Sequence, residues 1–236
     1  MTSLSELRFF TTPAHDCSYL EDRQAVTLFI DPEADIDQSV YSALSAVGFR
    51  RSGVHIYRPY CQTCSACVPV RVPVDLFVPL RRQKRCLKRN QDVTVSRHQP
   101  AMSERYYDIY DRYISARHPD GDMYPATREQ FQSFLVDGRP EAAFFEFRAQ
   151  RKLLAVAVVD ELDDALSAIY TFFDPDEDRR SLGSFAILWL IEQTRVLRLT
   201  NLYLGYWIKQ SQKMSYKMDY KPLEVFVNNH WLAVSE

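Results

Sequence analysis

Lys209, Lys213, Lys217 and Lys221 recur every four residues, interleaved with Tyr206, Tyr216 and Tyr220. Ammonium groups at this density suit a polyanion or an acidic substrate. On an α-helix Lys213 and Lys217 would share one face. A solvated basic helix accounts for the same spacing. The residues just before them alternate at the strand period: Leu202, Leu204, Tyr206 and Ile208 on one side, Tyr203, Gly205 and Trp207 on the other. Gly205 interrupts that strand, which marks a bulge or the close approach of a ligand or another backbone.

Four further groups could carry chemistry. Arg81, Arg82, Lys84, Arg85, Lys88 and Arg89 place six cations in nine residues, too many for a narrow helical stripe, so the run faces solvent or a polyanion. Arg50, Arg51 and Arg58 bracket a turn and short strand with positive charge. Asp174 and Asp176 flank Pro175 after an apolar run. This is common turn chemistry, and equally a place for a carboxylate that holds or deprotonates an amine. Cys61-x-x-Cys64-x-x-Cys67, with Cys17 or His15, has spacing compatible with zinc or an iron–sulfur cluster. It also fits small buried thiols at a tight corner, and no resident metal or cofactor is expected.

The totals limit the choices. Twenty-nine Lys and Arg against thirty-one Asp and Glu leave a net charge of −2, so a nucleic-acid partner must be held by a local patch. The 81–89 run is the strongest candidate. The N-terminus lacks the basic and long apolar regions of a signal peptide. The longest nearly uncharged apolar run, 184–191, is too short to cross a bilayer. No membrane partner is expected, and the thiols read as reduced, in keeping with the cytoplasm.

The elements that must position these groups follow in order. Residues 1–70 form an N-terminal α/β unit that carries the cysteine cluster. It has a strand over 24–30, a helix over 37–47 ended by Gly48, and a turn and strand over 49–59. Residues 71–236 form a second unit. A β run over 68–78, broken by Pro69 and Pro73, leads into it, followed by an amphipathic helix over 103–118 and a capping box from Thr127 to Gln130. Runs 142–148, 153–159 and 166–173, separated by short turns, predict an antiparallel meander. An apolar helix over 185–197, the Gly205 strand and a last strand near 223–227 complete the chain.

A meander, an Arg180-x-x-Gly183 turn opening a buried helix, and a strand broken by glycine follow the order of acyl-CoA N-acyltransferase folds. The fold class expected is α+β: an N-acyltransferase-like (GNAT-type) mixed, mostly antiparallel sheet with flanking helices. In that fold the turn and the helix N-terminus hold a pyrophosphate. Phe185 stands where a small residue is wanted and would crowd such a loop, which counts against coenzyme A.

Several stretches together resemble the arginyl-tRNA–protein transferase family over almost the whole chain. They are Arg50-Arg51-Ser52-Gly53 with Tyr57-Arg58-Pro59, Gln62-Thr63-Cys64, and Phe172-Phe173-Asp174-Pro175-Asp176. Ser181-Leu182-Gly183, Leu202 through Ile208, Lys213-Met214-x-Tyr216-Lys217 and Tyr220-x-Pro222 follow in the same order. The length and Cys17-Ser18-Tyr19-Leu20 are similar to the short bacterial branch; eukaryotic relatives carry Cys-x-x-Cys where this chain has Cys17 and Leu20.

The resemblance implies transfer of an amino acid, leucine in that branch, from a charged tRNA to the N-terminal amine of proteins beginning with Asp or Glu, marking them for proteolysis. Arginine as donor, or a coenzyme A-dependent N-acetyltransferase, are the alternatives. An aminoacyl ester is already activated, so positioning, a proton acceptor and stabilisation of a tetrahedral intermediate suffice. Under this resemblance Asp174, Tyr206 and Lys217 are the catalytic candidates. Arg50, Arg51, Arg58 and Lys213 are candidates for the acceptor carboxylate, with arginine favoured for its bidentate grip. Arg81, Arg82, Lys84, Arg85, Lys88, Arg89, Arg180 and Gly183 would meet the tRNA. Tyr206, Trp207 or Tyr216 could stack on its terminal bases.

Overall fold

A computed structural model describes residues 6–234 as a mixed α+β fold. The N-terminal part contributes β1 (Phe9–Thr11), β2 (His15–Asp16), β3 (Gln24–Ala25), β4 (Thr27–Ile30), α1 (Gln38–Ala46), β5 (Arg50–Ser52) and β6 (His55–Pro59). β1, β4, β6 and β5 form one small sheet in that order, and β2 pairs with β3. Helix α1 begins where the Asp37 carboxylate accepts the Val40 N–H at 2.8 Å, satisfying one orphan donor of the first turn. The 49–59 stretch is a hairpin of two strands, since Arg50 pairs with Tyr57 and Ser52 with His55.

The remaining elements are β7 (Val68–Pro73), α2 (Arg81–Arg89), β8 (Val93–His98), α3 (Glu104–Arg117), α4 (Arg128–Phe131), β9 (Ala142–Ala149), β10 (Lys152–Glu161) and β11 (Ala165–Phe173). Helix α5 (Leu182–Val196) and strands β12 (Asn201–Trp207), β13 (Glu224–Val227) and β14 (His230–Ala233) complete the chain. One eight-stranded sheet runs β14-β13-β7-β12-β11-β10-β9-β8. The expected meander is β9, β10 and β11, antiparallel throughout. Strand β7 begins inside the N-terminal unit and is laid between β12 and β13. The two parts therefore share this sheet, and the Tyr41 cluster reaches from α1 to Ala165 and Tyr203.

These three strands read as nearly continuous apolar runs because both faces are covered. Ala155, Ala157 and Val159 pack with α5 on one face, and Val156, Val158 and Phe172 pack with α3 and Phe131 on the other. Helix α5 is apolar on most sides for the same reason, and runs under the sheet between β11 and β12. Among the described residues these two strands are the sheet's one parallel pair, joined by the α5 crossover.

One polar lock fixes the small sheet to the large one. Arg51 Nε and Nη2 each donate to the Asp160 carboxylate at 2.6 Å, and the Tyr41 hydroxyl donates to it at 2.6 Å. Both charged side chains are 0% exposed. Removing one partner of such a pair strands a buried charge, which costs about 3–5 kcal/mol. Arg51→Met should lower the unfolding free energy by roughly that amount in urea denaturation. A double variant, Arg51→Met with Asp160→Leu, should recover most of the loss. A single-variant loss under about 1 kcal/mol would mean the lock contributes little.

Candidate active site

The parallel pair comes apart halfway along. Strands β11 and β12 pair only from Ala165 with Asn201 to Ser167 with Tyr203. Beyond that point β11 continues along β10, while β12 follows β7. Each strand carries an irregularity against its outer neighbour at this point. In β11, Ile169 is an extra residue between Ala168 and Tyr170 in the register against β10. In β12, Tyr203 lies opposite Arg71 and Tyr206 opposite Pro69, so one residue too many is accommodated. Gly205 sits in this bulge at φ +76°, a conformation that L side chains rarely adopt. Of the two readings of Gly205, a bulge or a close approach, the bulge is present.

A cavity of about 610 Å³ occupies the gap. Its walls are the free stretches of β11 (168–171) and β12 (Leu204, Gly205, Tyr206), the first turn of α5, and side chains from the N-terminal hairpin and α3. Ser181 precedes α5 in the left-handed region (φ 53°) with no side-chain cap. The first N–H groups of the helix thus lack intrahelical partners at the cavity edge, and the helix dipole adds positive potential there. Phe185 does not crowd this turn. It points into the core and packs edge-on against Phe147, with ring centroids 5.7 Å apart. The steric objection to a phosphate at this helix end is therefore removed. Gly183 lets the helix lie against Phe173, whose ring a Cβ would approach at 3.3 Å.

Lys217 is the main chemical feature of the cavity. It is 7% exposed, and its Nζ donates to the backbone carbonyl of Tyr206. Burial pushes its ammonium down from 10.5 to about 7, and the nearby Arg50 charge pushes in the same direction. Half of the population is then a neutral amine near pH 7. Gly205 keeps the adjoining space open, since a Cβ there would stand 3.8 Å from Nζ. The segment carrying Lys217 is 3₁₀ over Gln212–Asp219 and not α-helical. At three residues per turn, positions four apart diverge in direction. Lys213 and Lys217 therefore do not share a face. Lys213 is exposed at the rim and pairs with Asp120 at 2.9 Å.

The other predicted residues divide by what their polar atoms already hold. Asp174, 1% exposed, is not part of the cavity wall. It accepts from Arg112 and Lys152 at 2.9 Å and from the Asp176 N–H at 3.1 Å. Burial alone would raise its pKa, but the hydrogen bonds from Lys152 and Arg112 hold it below the usual carboxylate range. It clamps α3 to the end of β11 as an ionised turn residue. The Tyr206 hydroxyl donates to the Gly48 carbonyl at 2.8 Å, and burial pushes its pKa up. Its phenol is a structural tie, and its ring and carbonyl border the cavity. Arg51 is committed to Asp160. Arg58 lies over the Phe49 ring at 5.0 Å, outside the cavity lining. Arg50 lines the cavity, 5% exposed, with Nη1 donating to Ser167 Oγ at 2.9 Å.

Helix α2 turns all six of its cations outward while Gln83 and Cys86 face the protein. Arg82 pairs with Asp219 at 2.5 Å, and Arg89 donates to the Arg179 carbonyl. Arg81, Lys84, Arg85 and Lys88 have no ionic partner among the described residues. Arg180 is held bidentately by Asp92 at 2.8 Å and also by Glu177, so it braces α2 against the start of α5. Of the three stacking candidates, Tyr216 is 44% exposed at the cavity, whereas Trp207 packs on the core. Tyr113, His118 and Tyr170 also line the cavity. Their spacing in the sequence fits an ordinary helix and strand core, so no local signal marks them.

Cys17, Cys61, Cys64 and Cys67 are partly buried free thiols. Burial pushes the Cys67 thiol up to about 12, with the other three thiols close enough to add to the shift. Among the described residues, no group of three or more His, Cys, Asp or Glu side chains is placed to hold a metal ion. No helix among them is long and apolar enough to cross a membrane.

With this geometry in view, the comparisons are specific. Residues 15–85 match the family profile described as "Arginine-tRNA-protein transferase, N terminus", and residues 105–227 match its C terminus counterpart. A Pseudomonas savastanoi pv. phaseolicola protein named "Aspartate/glutamate leucyltransferase" is 56% identical over 234 residues, covering 99% of this chain and 100% of that one. A protein of the same name from Pseudomonas fluorescens is 55% identical over 235 residues, covering 100% of both chains. Among solved structures, L-PGS from Bacillus licheniformis aligns over 86% of this chain and 69% of its own, at 11% identity and TM-score 0.47. FemX aligns over 94% and 88%, at 10% identity and TM-score 0.45. Matched in both family segments and along its full length by these relatives, the chain belongs to the arginyl-tRNA–protein transferase family.

Proposed function

We propose that this protein transfers leucine from Leu-tRNA to the α-amine of proteins beginning with Asp or Glu, tagging them for proteolysis. The observation that carries the reading is Lys217: a buried amine with its pKa lowered to about 7, lining a cavity opened between two parted parallel strands. The relatives' printed names supply the donor and acceptor. The parted pair, the α5 crossover and the Gly205 bulge support an N-acyltransferase-like (GNAT-type) arrangement, with the end of a tRNA where coenzyme A would lie. Cytoplasmic residence goes with this reading, because charged tRNA is found there.

The chemistry needs little beyond placement. The acceptor's α-amine has an ordinary pKa of about 7.7–8.0, so part of it is neutral and nucleophilic at physiological pH. It attacks the carbonyl carbon of the leucyl ester. As the C–N bond forms, the amine gives a proton to neutral Lys217, whose N–H stays on the Tyr206 carbonyl while its lone pair faces the cavity. The C–O bond to the tRNA ribose then breaks, and Lys217 returns the proton to the leaving ribose oxygen. The products are the leucylated protein and free tRNA, with Lys217 neutral again. A phosphate of the tRNA end is placed at the open N-terminus of α5. Tyr216 gives a stacking face for a terminal base, and the outer face of α2 meets the phosphate backbone.

Purified protein supplied with labelled Leu-tRNA should leucylate peptides beginning with Asp or Glu. No transfer from any aminoacyl-tRNA would refute the reading, and transfer of arginine alone would move it to the other donor. Lys217→Met should cut the rate by about 10²–10⁴-fold. The wild-type rate should rise from pH 6 to 8 with an ionisation near 7 that the variant lacks. The stability sign is also fixed. The folded-state pKa lies below the ordinary 10.5, so the unfolded chain binds more protons between these values. Wild-type stability should therefore rise with pH from about 7 toward 10.5, relative to Lys217→Met; parallel melting profiles would remove Lys217 as a depressed amine. Replacing Arg81, Lys84, Arg85 and Lys88 by Gln should weaken tRNA binding and make log K against log salt shallower by roughly 1–3 units. An unchanged slope would make α2 a merely solvated face.

A further inference from the structure

Two neighbouring arginines on β5 are both buried but unequally satisfied. They reach across to one rung of the large sheet, where Asp160 of β10 lies opposite Ser167 of β11. Arg51 takes Asp160, the full counter-charge of that rung. Arg50 takes only the Ser167 hydroxyl, through Nη1. Its Nε and Nη2 have no hydrogen-bond partner and are closed to bulk solvent. No carboxylate lies within ion-pair distance of Arg50 among the described residues. Its remaining electrostatic support is aromatic, with the guanidinium 4.8 Å from the Tyr203 ring centroid.

A desolvated guanidinium with two unmade hydrogen bonds is costly. The ligand that would complete it is an anion presenting two coplanar acceptor atoms, and the free edge formed by Nε and Nη2 is the edge that grips a carboxylate bidentately. Arg50 lines the same cavity as Lys217 and Gly205. We propose that Arg50 is the specificity residue for the acceptor, holding the side-chain carboxylate of an N-terminal Asp or Glu while the α-amine of the same residue lies at Lys217. The assignment rests on the transfer reading above. It needs a small turn of the guanidinium about its Ser167 contact to bring the covered edge to the carboxylate. Asn and Gln share the shape of Asp and Glu but put an NH₂ where a second acceptor is required, leaving a donor facing a donor. Arg51, Arg58 and Lys213 lack this position, because each is paired with Asp160, stacked on Phe49 or bound to Asp120 at the rim.

The test compares peptides beginning with Asp, Glu, Asn and Gln as leucine acceptors. The wild-type protein should prefer Asp over Asn by about 10²-fold or more in kcat/KM. In Arg50→Gln the Asp-to-Asn ratio should fall below about 3, mainly through KM for the acidic peptide, with Arg50→Lys in between. Leu-tRNA affinity should change by less than about twofold in both variants. A folded Arg50→Gln protein that keeps the wild-type Asp-to-Asn ratio would overturn the proposal. A second readout stays on the wild-type protein. One arginine Nε–H resonance, identified by its loss in Arg50→Lys, should shift on adding Asp-Ala and not on adding Asn-Ala. No shift with Asp-Ala at saturation would also overturn the assignment. Failure of leucine transfer to every peptide would instead refute the transfer reading, which the resonance experiment does not depend on.

Discussion

The molecule depends on a parallel pair of strands that cannot stay paired. Each strand bulges against its outer neighbour where the pairing ends: Ile169 is extra in β11 against β10, and Gly205 permits an extra residue in β12 against β7. After Ser167 and Tyr203 the ladder ends and each strand follows its outer neighbour. The opening costs hydrogen bonds but exposes backbone on two sides, with the N-terminus of α5 at one end. The eight-stranded sheet holds the gap rigid, since apolar layers cover both faces of β10 and β11. The N-terminal hairpin closes it over, fixed by Arg51 on Asp160 and by the Tyr206 hydroxyl on Gly48.

Burial then sorts the cations into different tasks. Arg51 has a full counter-charge and stays inert. Lys217 has only a carbonyl and loses its proton easily, which suits the base proposed for it at the pH where the acceptor amine is reactive. Arg50, always charged, keeps an unmet demand for an anion beside it. The two are linked: the charge on Arg50 helps to keep Lys217 neutral. A carboxylate bound at Arg50 would offset that charge and raise the proton affinity of Lys217. The cations of α2 lie outside this logic, because they are exposed to solvent and their field is screened.

Much of this was legible in the sequence, and the rest was hidden for identifiable reasons. The meander, the buried helix and the glycine bulge follow from periodicity and from the limits on glycine in strands, and they stand where expected. The outward cations of α2 follow from their density. Arg50 and Arg51 could not be told apart, because what separates them is a rung more than a hundred residues away. Asp174 looks like a free carboxylate until Arg112 and Lys152, from two other elements, are seen to hold it. The lysine spacing suggested an α-helical face. The segment is 3₁₀, and the tight turn buries Lys217 while leaving Lys213 in water. The order of elements puts Phe185 at the helix-opening turn, but its side chain turns away to pack on Phe147 of the sheet.

The central claim is that leucine is transferred in the gap between β11 and β12. Its most direct test is a structure of the protein with a tRNA acceptor-stem mimic ending in a non-hydrolysable 3′-leucylamino-adenosine. The account predicts the leucyl carbonyl carbon in the gap, with Lys217 Nζ within about 3–4 Å of the position an attacking amine would take. The first turn of α5 should lie against the terminal nucleotide. A leucyl group seated elsewhere, for example in the groove lined by Ser52, His55, Gln130 and Phe134, would contradict it.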